Sequence, residues 1–405
     1  MKNQIKADVV VGLQWGDEGK GKIVDIIAPT YDAVIRANGG NNAGHSISAN
    51  GKEYAVHILP SGVLQKDKLN IIASGCVVDP NAVIKEIETL GEDFKGNLLI
   101  SERCPLILKQ HIEKDKDLES KKGDNAIGTT LKGIGPAYAA LKNRTVIFAG
   151  DLLDIENALK RFAYLEEQEL IDLRIELNQL SLLIKDYIGD TFSKIQEQNS
   201  VLLEGAQATM LDNLYGAYPY VTSSNTIVSS LLTGSSLNHS NINEIIGVTK
   251  AYTTRVGNGP FITEELGEIG EKIRTIGKEV GVSTGRKRRC GWIDLVQLKY
   301  AIQLNGVTSL AIMKSDVLDT FEEIKVCIKY KNILTNEEID YVPFNLDEYE
   351  AIYKTFQGWQ TETYGETKMF NLPKQLMKLL KYISEELETE IKYISTGPKR
   401  DQICK

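Results

Sequence analysis

The 405-residue chain lacks any apolar run near the ~18 residues that a membrane helix needs. Its first residues, Met1 to Lys6, hold no hydrophobic stretch of the kind that directs secretion. A cytoplasmic protein without a membrane span is expected. Cysteine is scarce: Cys76, Cys104, Cys290, Cys327 and Cys404 are scattered and form no C-x-x-C pair. An odd count favours reduced, buried thiols over a disulfide framework or a zinc site. Basic charge is short as well, with a net charge of −8, which disfavours general nucleic-acid or anionic-membrane binding and leaves local basic clusters to small anionic ligands. No Pro/Gly/Ser-rich linker, low-complexity tract or fixed-period repeat divides the chain, so residues 1–405 are expected to form a single elaborated sheet domain.

What is present suits a large core: 42% of residues are hydrophobic and 25% charged. Short apolar runs at Val9–Val11, Ala33–Arg36, Ile71–Ile72, Leu98–Ile100, Val201–Leu203, Ile245–Val248, Leu310–Met313, Ile324–Lys329 and Ile391–Ile394 alternate with helical patterns. That alternation predicts an α/β fold with a large, mostly parallel central sheet and flanking helices. Asp79 and Pro80 open a helix that runs to Leu90, and Pro373 to Thr389 carries Leu376, Leu379, Leu380 and Ile383 on one stripe. Residues 151–198 form a charged, leucine-rich helical insertion with a solvated face. A hairpin is expected where Ile324–Tyr330 and Glu338–Val342 flank the turn Asn332–Asn336. The polar, glycine-bearing loops should hold the function.

The most informative of these loops is Gly16-Asp17-Glu18-Gly19-Lys20-Gly21-Lys22, set between Val9–Val11 and the apolar Ile23–Ile27. Strand, loop and helix in that order give amides and a helix N-terminus to an anion, and the two lysines add full charge. The spacing matches the Gly-x4-Gly-Lys part of a P-loop, but Ile23 stands where a Mg2+-binding hydroxyl is usual. The carboxylate of Asp17 is costly beside phosphates unless it binds a metal or takes a proton. Asn38 to Ser46 brings amides, glycines and His45, which can act as an acid toward phosphate oxygen or stabilise charge on a leaving group. Ser283-Thr284-Gly285-Arg286-Lys287-Arg288-Arg289 concentrates four cations suited to carboxylate or phosphate capture. Lys314-Ser315-Asp316, after a strand, resembles the Lys-x-Asp element with which GTPases read guanine. Ser395-Thr396-Gly397-Pro398 could close the same pocket, and Glu204–Gln207 with Tyr218–Thr226 offers neutral donors for a heterocyclic base.

Taken in order, these loops resemble the adenylosuccinate synthetase family end to end, through Gln14–Lys22, Asn42–His45, Ile127–Thr130, Gly133–Tyr138, Glu204–Gln207, Tyr218–Asn225, Thr284–Arg289 and Ser395–Pro398. The resemblance implies a P-loop-NTPase-like fold and a GTP- and Mg2+-dependent ligase that joins IMP and L-aspartate through 6-phosphoryl-IMP, the first committed step from IMP to AMP. It implies that Asp17 removes the N1 proton of IMP and ligates Mg2+, that His45 assists phosphoryl transfer to the 6-oxygen, and that Lys20 holds phosphate. Gly44 would give a carbonyl to Mg2+, and Gln207 would sit near the 6-oxygen. Asn42, Ala43, Thr130, Thr222 and Arg286 would line the IMP site. Gly16, Glu18, Gly19, Gly21, Lys22 and Ser46 would join the GTP site. Lys314, Ser315 and Asp316 would read guanine, with Ser395, Thr396 and Gly397 alongside. Val282, Ser283, Thr284, Gly285, Arg286 and Arg288 would surround aspartate, Arg288 also reaching GTP. Arg144 would enter the neighbouring subunit's IMP site in a homodimer.

The departures from the family pattern are local. Ala208 and Leu131 replace glycines, Ser46 replaces Thr, Ser315 replaces an apolar residue, and Asn143-Arg144 has one arginine where relatives often have two. The regions 151–198 and 227–240 also look shorter or more divergent. A regulatory GTPase would share the phosphate loop and Lys314–Asp316 without needing the arginine cluster. A small-acid kinase would use the arginines but not Gln207 and Thr222 around a base.

Overall fold

A computed structural model describes residues 5–49, 51–123, 126–280 and 285–405. Ten strands form one sheet, in the order Ile403–Cys404, Glu390–Ser395, Ser309–Met313, Ile242–Lys250, Lys6–Gly12, Ser200–Glu204, Ala33–Arg36, Leu69–Ile72, Asn97–Ser101 and Ile188–Gly189. Every pairing is parallel except that of the edge strand Ile403–Cys404. The expected α/β class and mostly parallel sheet are therefore present.

The strand Lys6–Gly12 is buried at every position but Lys6. Val9 and Val11 pack into one core cluster, whereas Val10 packs into another with Ile23, Val24 and Ile27 of the following helix, as alternate side chains of a two-sided strand must. The chain winds outward from this strand to one edge, returns at Ser200–Glu204, and then builds the other half. The switch in winding direction thus falls beside Lys6–Gly12, and crevices for ligands form at the carboxyl ends of strands at such a point.

The loop leaving that strand enters the helix Lys20–Ile27, whose N-cap Gly19 has φ 100. Glycine adopts that left-handed conformation without a Cβ penalty. A Cβ on Gly21 would lie 2.9 Å from His45 Cβ and 3.2 Å from the Ser46 carbonyl oxygen. Glycine there lets the helix approach the strand His45–Ala49 closely.

Three differences from the sequence reading concern the insertions. The 151–198 segment contributes helices Ile155–Leu159, Glu167–Ile184 and Thr191–Gln196, but its strand Ile188–Gly189 joins the sheet edge. Leu177, Leu180 and Ile184 pack with Leu90 and Ile100, so one face of the insertion is core. The strand Glu323–Asn332 pairs with Glu338–Ile339 as expected, yet its long partner is Tyr349–Gln357, which the sequence reading did not single out. That strand is half-buried and polar-rich, so its hydrophobic alternation is weak. Among the described residues no helix is long and apolar enough to cross a membrane.

Candidate active site

A single cleft of about 1160 Å³ opens where the phosphate loop leaves the sheet. Its walls include Gly16 to Lys22, Asn42 to Ser46, Gly128 to Thr130, Gln207, Thr222, Arg288, Lys314, Asp316, Ser395 and Gly397. Loops separated by more than 370 residues are thus brought together. Among the described residues, Gly285, Arg286, Ser315, Thr396 and Arg144 fall outside this lining. Val282, Ser283 and Thr284 lie outside the described residues.

Asp17 has φ 59, which turns its side chain out of the loop toward Arg288. The guanidinium of Arg288 meets Asp17 Oδ2 through Nε at 2.8 Å and Nη2 at 2.7 Å. Glu18 turns the other way: its Oε1 accepts from the amides of Gln14 at 3.2 Å and Gly16 at 2.8 Å, and its Oε2 accepts from Lys20 Nζ at 2.6 Å. Glu18, which the resemblance places in the GTP site, lines the cleft, and its carboxylate stitches the loop to itself. Lys22 likewise donates to Ser395 Oγ at 2.8 Å and to the carbonyls of Gly397 and Gln402 at 2.7 and 2.8 Å. Burial lowers its pKa to about 8. Its ammonium therefore anchors the C-terminal loop. Ser315 Oγ donates to the Ser395 carbonyl at 3.0 Å, tying the Lys314–Asp316 element to the same C-terminal loop, and Thr396 Oγ1 donates to the Glu366 carbonyl at 2.6 Å.

His45 is buried, and its Nδ1 meets Glu204 Oε1. Glu204 also accepts from the Ser61 amide at 2.8 Å and the Ser61 hydroxyl at 2.5 Å. Burial opposes charge on Glu204, but His45, Arg36 and Ser61 hold its pKa down to about 2. An ionised Glu204 fixes the proton of the neutral imidazole on Nδ1 and leaves Nε2 to serve a ligand in the cleft. Burial also pushes the pKa of His45 below its ordinary value. In the sequence Glu204 is only one residue of a motif; its role in orienting His45 shows in a side-chain contact between residues 159 apart in the chain.

Gln207 Nε2 donates to Asn42 Oδ1 at 3.1 Å, and Asn42 Nδ2 reaches Thr222 Oγ1 at 3.4 Å. Gln207 Oε1 and Asp316 Oδ1 are both buried without a hydrogen-bond partner. Buried acceptors left unpaired are costly unless a ligand donates to them. Burial raises the Asp316 pKa to about 6, as expected for a carboxylate awaiting donors. Of the arginine run, Arg289 is committed to Glu264 and to the Gly259 carbonyl at 2.7 Å. Arg286 is exposed and reaches the Gly128 carbonyl at 3.4 Å.

A residue absent from the sequence reading sits behind the cleft: Glu279 is fully buried and takes Lys250, Lys314 and Arg288 as ion-pair partners. Nothing in local sequence marks it, because two of its ion-pair partners, Lys250 and Lys314, lie 29 and 35 residues away. Among the described residues no cluster of three or more His, Cys, Asp or Glu could grip a metal unaided. This donor set suits Mg2+, which takes one or two carboxylates and completes its shell from phosphate oxygens and water.

The family model for adenylosuccinate synthetase matches residues 9–404. Adenylosuccinate synthetases from two Bacteroides fragilis strains are 42% identical over 431 aligned residues, covering 98% of this chain and 98% of theirs. The fully ligated adenylosuccinate synthetase of Plasmodium falciparum superposes with a TM-score of 0.91 at 36% identity, covering 98% of this chain and 99% of that one. The cyanophage S-2L succinoaminodeoxyadenylate synthetase, bound to dGMP and dATP as an energy donor, shares the fold at TM-score 0.65 and 17% identity, covering 98% of this chain and 95% of that one. The chain belongs to the adenylosuccinate synthetase family.

Proposed function

We propose that the protein is a GTP-dependent ligase that joins IMP and L-aspartate into adenylosuccinate, releasing GDP and phosphate, in the first committed step from IMP to AMP. The observation that carries this reading is that a phosphate loop, an oriented imidazole, a paired aspartate and two buried unpartnered acceptors share one cleft. Asp316 Oδ1 suits the N1 and N2 donors of guanine, with the Lys314 stem against the ring. Gln207 Oε1, beside Asn42 and Thr222, suits a purine edge.

In this mechanism Asp17 removes the N1 proton of IMP, and the resulting charge makes the 6-oxygen nucleophilic toward the γ-phosphorus of GTP. Lys20, and His45 once its Nε2 carries a proton with the Glu204 carboxylate as counter-charge, stabilise the charge developing on the transferred group, and GDP leaves. The amine of aspartate then attacks C6 of 6-phosphoryl-IMP, and phosphate departs with the original 6-oxygen. Phosphate is a far better leaving group than oxide, which is how GTP drives C–N bond formation. Mg2+, with Asp17 and the Gly44 carbonyl as its protein ligands, would neutralise phosphate charge. Arg288 and Arg286 serve the carboxylates of aspartate, and Arg144, exposed at the end of the helix Ile134–Asn143, reaches the IMP of a partner subunit in a homodimer. The chain works in the cytoplasm as one domain, residues 1–405, with 151–198 as its helical insertion.

Phosphate release and the ultraviolet absorbance of adenylosuccinate provide the test. Both should appear only when GTP, IMP, aspartate and Mg2+ are all supplied. Phosphate release that ignores IMP and aspartate would replace the ligase with a GTPase, and a stable phosphorylated acid would replace it with a kinase.

A further inference from the structure

Glu279 has no exposed surface and does not line the cleft. Its Oε1 accepts from Lys250 Nζ at 2.9 Å, from Lys314 Nζ at 2.8 Å and from the Tyr252 hydroxyl. Its Oε2 accepts from Lys250 Nζ at 3.0 Å and from Arg288 Nη1. The backbone adds a further tie, with the Arg288 amide donating to the Glu279 carbonyl at 3.0 Å. Arg288 turns its remaining nitrogens to Asp17, and Lys314 also donates to the Gly277 carbonyl at 2.8 Å. One carboxylate therefore fixes the cation beside the guanine reader Asp316 and the cation that holds the reactive Asp17.

We propose that Glu279 is a positioning residue that sets Lys314 and Arg288 together, so that the guanine and aspartate halves of the site are aligned by one buried carboxylate. This rests on the reading of Lys314 as a guanine contact and of Arg288 as an aspartate contact. A purely structural Glu279 would influence how much folded enzyme exists; a positioning Glu279 also determines how well the folded enzyme meets two of its three substrates. The second possibility has a distinct kinetic signature, because KM does not depend on the active fraction.

The Glu279→Asp variant keeps the charge but withdraws the carboxylate by one methylene, too short to span both cations. Its KM for GTP and its KM for aspartate should both rise by about tenfold or more, while its KM for IMP stays within about twofold of wild type. A second variant, Glu279→Gln with Lys250→Met, removes one buried charge of each sign, so the folded state keeps its charge balance; the same paired rise should persist while the melting temperature stays near wild type. Unchanged KM values for GTP and aspartate in either variant, or equal changes for all three substrates, would overturn the proposal. The unmodified enzyme is assayed alongside. If it forms no adenylosuccinate, the functional reading fails on its own account, whereas a competent wild type with unshifted variants refutes only the role of Glu279.

Discussion

Asp17, Gln207 and Lys314 hold left-handed backbones, with φ 59, 58 and 58. None of them is glycine, so each position carries a cost of order 1 kcal/mol that the surrounding contacts must offset. All three line the cleft, and the proposed mechanism uses each of them. Replacing Asp17 with Asn keeps shape but removes the base, and replacing His45 with Ala removes the imidazole that Glu204 orients. Each variant should lose about 10²- to 10⁴-fold in kcat with an unchanged circular-dichroism spectrum; near-normal turnover would refute the assigned roles. Asp316 gives a pH signature. Burial places its pKa at about 6, and only the ionised form accepts from both guanine donors. Above that pH kcat/KM for GTP should be flat, and it should fall as pH drops through about 6. The Asp316→Asn variant should lose both the step and the preference for guanine. A pH profile for GTP identical in the two enzymes would contradict this.

The helix Lys109–Lys121 controls a loop rather than contributing side chains to the sheet. Asp115 and Glu119 stand four residues apart, hence on one face. Glu119 Oε1 accepts from the Gly128 and Thr129 amides, and Asp115 accepts from the Thr129 hydroxyl at 3.3 Å and the Gly133 amide at 2.9 Å. The pair thereby shapes the segment that carries Thr130. The Glu119→Ala variant should raise KM for IMP by about tenfold and leave KM for GTP unchanged, as steady-state kinetics would show; equal KM values would show that the loop holds its shape without the helix. The sequence revealed that loop as polar and glycine-bearing but not the helix behind it. Periodicity reports which face of an element is buried, so Val9–Val11, Asp79–Leu90 and Leu376–Ile383 were legible. It says nothing about which distant group an ammonium meets. Lys22 read as a phosphate ligand because its neighbours are glycines, whereas its partners Ser395, Gly397 and Gln402 lie at the far end of the chain. Glu279 escaped for the same reason. Resemblance of motifs named residue roles that composition and spacing did not, but it did not show that side chains such as those of Lys22 and Ser315 tie the walls of the cleft together.

At the scale of the whole molecule, a ten-stranded sheet with its winding switch beside Lys6–Gly12 gathers loops from both halves of the chain around one cleft. Arg144 stands exposed and outside that cleft. If it completes a partner's IMP site, specific activity should fall on dilution as dimers separate, and Arg144→Ala should raise KM for IMP in the concentrated enzyme while sedimentation still shows dimers. Specific activity independent of concentration, together with a wild-type KM in the variant, would place each site within one chain. The proposed mechanism turns on phosphorylation of the 6-oxygen of IMP before aspartate displaces it. The most direct measurement uses IMP labelled with oxygen-18 at the 6-position, turned over with GTP and aspartate, followed by mass analysis of the released phosphate. One labelled oxygen is expected in each phosphate released. Unlabelled phosphate, with the label lost to water, would mean that GTP is cleaved without activating IMP and would contradict the roles given to Asp17 and His45.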